Sequence, residues 1–78
     1  MPKIFEIDGF RFFFYSNEHD PIHVHVRYEG GEAVFELIDV VELRESHGIK
    51  LHDLRRAQEI AEKNKQLIIQ KWNEHFNR

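Results

Sequence analysis

Lys3-Ile4-Phe5-Glu6-Ile7-Asp8-Gly9-Phe10-Arg11-Phe12-Phe13-Phe14-Tyr15 is the stretch from which the fold is read. Asp-Gly between two apolar runs is the strongest short-range sign of a β-hairpin, because a type I′ turn needs positive φ at both central residues. A two-residue loop pairs Ile7 with Phe10 and Phe5 with Phe12 on one face, and sets Glu6 against Arg11 and Ile4 against Phe13 on the other. The opposite charges of Glu6 and Arg11 favour this register. The Phe10/Phe12/Phe14 stripe reads as core rather than as a platform for stacking bases. Phe13 and Tyr15 share the second face with Ile4, so partial cover is expected there too.

Working outward, residues 16–21 are polar and end in Asp20-Pro21, a loop signal. Ile22 to Tyr28 then alternates: Ile22, Val24, Val26 and Tyr28 point one way, His23, His25 and Arg27 the other. Glu29-Gly30-Gly31 is a turn, and Glu32 to Ile38 returns with Ala33, Phe35 and Leu37 on the side of Val24 and Val26. Glu36 falls beside His23 or His25, depending on the loop length. Val40 to Gly48 reads as an extended segment ending in a turn at His47-Gly48.

After Gly48 the period changes. Leu51, Leu54, Ala57, Ala61, Ile68, Trp72 and Phe76 recur at steps of three, four or seven, the mark of an amphipathic helix over about residues 50–76. Asn64 falls on the apolar stripe, where the helix could break in two; one long helix is the preferred reading. The expected architecture is α+β: two hairpins forming a four-stranded antiparallel sheet, packed against one long C-terminal helix, all in a single domain over 1–78. A straight helix of that length spans ~40 Å, so its end should project, and Trp72 and Phe76 either meet a second copy or a partner protein there or simply close the core edge.

Bulk properties narrow the possibilities. With 78 residues and no cysteine, the chain has neither a disulfide nor a thiolate zinc site to reinforce a small core. Its start is not that of a signal peptide and no run is long enough to span a membrane, which predicts a soluble cytoplasmic protein. Residues 1–49 hold four bases and ten acids, a net of −6; residues 50–78 hold seven bases and four acids, a net of +3. The overall −3 argues against a surface made for nonspecific nucleic-acid binding.

The richest chemistry lies in Ser16-Asn17-Glu18-His19-Asp20-Pro21-Ile22-His23-Val24-His25-Val26, which holds three of the six histidines. His23 and His25, two apart on a strand, face the same way about 6.5–7 Å apart. They could share a divalent metal with a third ligand from His19, Asp20 or Glu36. Alternatively they form a general acid–base pair on a phosphodiester, with Arg27 and Arg11 clamping the phosphate. The plainer reading is a solvent-facing strand side with histidines paired to Glu36. His47, His52 and His75 read as turn and helix-end residues. His-Val-His-Val is similar to the opening of the histidine-triad nucleotide hydrolases, but Arg27 stands where the third histidine belongs and the order of elements differs. No Walker loop, Gly-x-Gly-x-x-Gly, nucleophile elbow or cysteine nucleophile is present.

Several blocks carry a family resemblance: Pro2-Lys3-Ile4-Phe5, Gly9 through Glu18 with its Phe-Tyr-Ser-Asn-Glu, Pro21-Ile22-His23-Val24-His25-Val26, Glu32-Ala33-Val34-Phe35, and Trp72-Asn73-Glu74-His75-Phe76. Together they resemble the bacterial family known as domain of unknown function 4160. The resemblance implies a small stand-alone protein, encoded beside a second small gene, in a toxin–antitoxin-like pair. The expected partner is then the cognate protein from that neighbouring gene, with RNA a further partner if this is the toxin half. The resemblance supplies no catalytic residues; His23 and His25 match the motif without an assigned role. The alternative is a non-enzymatic interaction or metal-binding domain that dimerises or docks a partner through its helix.

Overall fold

The computed structural model describes residues 3–16, 18–19 and 21–76. Five strands form one antiparallel meander in chain order: β1 (Lys3–Ile7), β2 (Phe10–Phe13), β3 (His23–Tyr28), β4 (Gly31–Leu37) and β5 (Val41–His47). Two helices follow, α1 (Leu51–Lys63) and α2 (Lys65–Phe76). The α+β class is as expected, with one strand and one helix more than the sequence suggested.

The first hairpin forms as read. Asp8 and Gly9 have φ of 52° and 83°, and Ile7 pairs with Phe10, Glu6 with Arg11 and Phe5 with Phe12. Beyond that the register slips: Phe13 faces Lys3 rather than Ile4, because β1 carries an irregularity between Lys3 and Phe5. The second hairpin turns on Glu29 (φ 46°) and Gly30 (φ 84°), so the two-residue loop holds and His23 faces Glu36. The extended segment after Val40 is a true strand. It adds to the outer side of β4, with an irregularity between Val34 and Phe35.

One face of the sheet meets the helices. Phe10, Phe12, Phe14, Val24, Val26, Ala33, Phe35 and Leu37 are buried there against Ala57, Ile60, Ala61, Ile68 and Trp72. Asn64 separates α1 from α2; its backbone takes φ −112° and its side-chain amide donates to the Ile60 carbonyl at 2.8 Å. The break corrects the preference for one helix. Twenty-six helical residues laid straight would span about 39 Å, more than the molecule's longest dimension of 36 Å. The helical end therefore does not project. Trp72 is 5% exposed and packs edge-on to Phe14, while Phe76 is half-buried beside both rings. Leu51, placed on the apolar stripe, is instead exposed. No described helix is long and apolar enough to cross a membrane.

Candidate functional site

The second face of the sheet has no helix over it, yet Phe13, Val34, His23 and His25 are buried there. The cover comes from the connection between β2 and β3, which folds back over the face. Tyr15 stands edge-on to the His25 ring, and the Glu18 side chain, 9% exposed, reaches down between the histidines. The histidines are thus not an open strand side.

Glu18 touches both rings. Its Oε1 lies 2.8 Å from His23 Nε2 and its Oε2 lies 2.8 Å from His25 Nε2. The Tyr15 amide donates to Oε2 at 2.9 Å. Burial acts to raise the Glu18 carboxyl, but the Tyr15 amide, the His23 hydrogen bond and the charges of His23 and His25 outweigh it and hold the group below its ordinary range. Metal-ligating atoms of Glu18, His23 and His25 all lie within 4.8 Å of one another.

The outer nitrogens decide the protons. His23 Nδ1 lies 2.8 Å from the Pro21 carbonyl oxygen. A carbonyl only accepts, so Nδ1 carries the hydrogen. A neutral His23 then turns the lone pair of Nε2 onto a carboxylate oxygen. His25 Nδ1 lies 3.4 Å from Glu32 Oε2, again an acceptor. Both ring nitrogens of His25 are buried without an aligned hydrogen bond, so the 2.8 Å approach to Glu18 is a close contact and not a satisfied bond. Glu32 is itself fixed by Arg27 at 3.0 Å and by the Tyr15 hydroxyl at 3.1 Å. Burial again acts to raise its carboxyl, and the Arg27 and Tyr15 hydrogen bonds hold it down. The Tyr15 phenol, pushed up by burial and by Glu32, stays a donor.

Of the residues singled out from sequence, His23 and His25 meet, but His19 is exposed and stands outside the group. Glu36 pairs with His23 across the strands and is engaged by Arg44 at 3.5 Å. Asp20 lies outside the described residues. Arg11 and Arg27 face each other across β2 and β3, on the same side as His25. Each has an acid of its own, Glu6 at 3.8 Å and Glu32 at 3.0 Å. Trp72 is not at a free end; its ring lies 5.2 Å from that of His23.

Sequence reasoning missed Glu18, Glu32 and Tyr15. Glu32 was within reach, since the two-residue loop places it opposite Arg27. No periodicity reports Glu18, because it arrives by a loop folding onto a sheet face. A surface depression of about 290 Å³, lined by Lys3, Ile4, Phe14, Lys71, Glu74 and His75, contains none of these groups.

No curated protein and no solved structure gives a significant match to the chain. The family model described as Domain of unknown function (DUF4160) matches residues 9–73 of the 78, and the chain belongs to that family.

Proposed function

We propose that this protein is a small cytoplasmic metal-binding domain with its centre at Glu18, His23 and His25, working with a cognate protein in a two-gene module. One observation carries the metal reading: three Lewis bases converge, with the outer nitrogen of each histidine turned to an acceptor. Only a proton on the inner nitrogens or a cation among the three reconciles that arrangement. Ligating histidines ordinarily give their second nitrogen to a carbonyl or carboxylate, as His23 does to Pro21 at 2.8 Å, while Glu32 stands 3.4 Å from His25 Nδ1 without an aligned bond. Two imidazoles and a carboxylate suit zinc or a neighbouring divalent transition ion, and leave a coordination position open. A tetrahedral zinc with bonds of about 2.0–2.1 Å sets its ligand atoms about 3.3 Å apart. That value lies between the 2.8 Å contacts and the 4.8 Å limit of the cluster.

The pairing with a neighbouring gene's product rests on the family resemblance alone. The RNA-directed reading, with His23 and His25 as acid–base pair and Arg11 and Arg27 as clamps, draws support from the shared face of His25 and the two arginines. It has less support than the metal, because Glu18 occupies both Nε2 atoms and both rings are nine-tenths buried.

The test is zinc titration of the chelator-stripped protein, read by calorimetry. Trp72, the single tryptophan and adjacent to His23, gives a second readout through quenching by cobalt. One equivalent should bind, with affinity falling at least tenfold in Glu18→Gln and more in His23→Ala/His25→Ala. Binding that ignores both substitutions would sink the proposal. Incubating apo and loaded protein with single-stranded RNA completes it: cleavage by the apo form, lost in the double variant, would favour the acid–base reading.

A further inference from the structure

β5 ends the sheet, so one side of its backbone pairs with no described strand. All of it but Val41 is exposed. Edge strands are usually kept from pairing by charges and bulges, and β5 has both, in Glu42, Arg44, Glu45 and the irregularity opposite Val34 and Phe35. It also carries what such protection ordinarily avoids. Of the five large apolar side chains exposed among the described residues, four lie on or beside β5: Ile38, Val40, Leu43 and Leu51.

We propose that β5 is a homodimer interface, pairing antiparallel with β5 of a second copy about a two-fold axis between Arg44 and Glu45. The strand's own sequence is the argument. That axis sets Arg44 against Glu45 of the second copy, Glu42 against His47 and Leu43 against Ser46, each pair occurring twice. The faces agree. Leu43 and Ser46 sit opposite Phe35 and Ala33, on the helix side. Glu42, Glu45 and His47 sit opposite Glu36, Val34 and Glu32, on the histidine side, and Arg44 joins them there through Glu36 at 3.5 Å. Leu43, the large apolar side chain exposed on β5 itself, lies within the seam beside Ser46 of the second copy. Moving the axis onto Arg44 or onto Glu45 sets that residue against itself. An axis through Leu43 matches Glu42 with Arg44 but sets Glu45 against the apolar Val41. Of these registers, the axis between Arg44 and Glu45 is the one that gives every charged residue of the strand a polar partner. The Arg44–Glu36 contact does not compete strongly, being an exposed pair.

Sedimentation of the full chain over a concentration series, with chelator present to exclude metal-bridged association, tests this. The wild type should reach a dimer. Arg44→Glu and Glu45→Arg should each weaken it at least tenfold, and the double variant Arg44→Glu/Glu45→Arg should restore it to within about threefold, because two-fold symmetry returns both attractive pairs. Melting curves matching wild type exclude misfolding as the cause. A wild type that stays monomeric up to about 1 mM, or a double variant no better than the singles, overturns the proposal.

Discussion

Gly30 and Gly31 stand side by side in one turn and are glycines for different reasons. Gly30 has φ +84° and open space where a Cβ would be. Gly31 has ordinary φ, but a Cβ there would meet the Gly48 carbonyl oxygen at 2.3 Å and Ile49 Cγ1 at 2.7 Å. Gly30→Asn, a residue that tolerates left-handed backbone, should cost about 1 kcal/mol or less. Gly31→Ala must push β5's end off β4 and should cost at least the about 1–3 kcal/mol typical of overpacking. Urea unfolding of the two variants checks the order; equal losses would mean that the Gly31–Gly48 approach relaxes freely. From sequence both residues read simply as turn glycines, because the close approach comes from Gly48 and Ile49, seventeen and eighteen residues further on. The site divides the same way. The strand period put His23 and His25 on one side, whereas Glu18 depends on how a loop lies.

At the scale of elements, Asn64 is where two tendencies compete. Alanine at this position would favour an unbroken helix by several tenths of a kcal/mol. Asparagine instead bonds the Ile60 carbonyl, and its backbone leaves the helical region. Because the bend accompanies burial of Ile68 and Trp72, packing should win. Asn64→Ala is expected to lose about 1 kcal/mol, a melting temperature lower by about 4–8 °C by circular dichroism. A higher melting temperature would show that the side chain does not set the break. The sequence flagged this position but could not choose, since the apolar stripe keeps its period across Asn64 either way. β5 was harder to read. Glu42 to His47 shows no alternation of apolar and polar residues, and every one of these residues is exposed, so no buried face leaves its mark in the sequence.

At the scale of the whole molecule, the two sheet faces are closed by different devices, helices on one and a loop on the other, and α2 touches both. Trp72 packs on Phe14 in the main core and on His23 at the site. Ile68, fully buried between α2 and the sheet, therefore supports the site as well as the fold. Ile68→Ala should cost about 2–5 kcal/mol, a large share of what a domain this small has. Helical signal and Trp72 fluorescence should still fall together on heating. Separate transitions would mean that α2 detaches from an otherwise folded sheet. The α+β class and the pairing of four strands were legible because each depends on neighbours in the chain. The bend and the burial of the histidines depend on how the whole closes.

The meander has a further consequence, in the order of synthesis. Each strand pairs with the one before it, so a sheet of β1 to β4 has all its strands once Leu37 is made. Its cover is not complete until Trp72, 35 residues later. At about 5–20 residues per second, Phe12, Val24, Val26 and Phe35 wait about 2–7 s for α2. The sheet therefore closes only as synthesis nears its end, and until then whatever part of the phenylalanine-rich surface has emerged lacks its full cover, a hazard that the finished protein no longer shows.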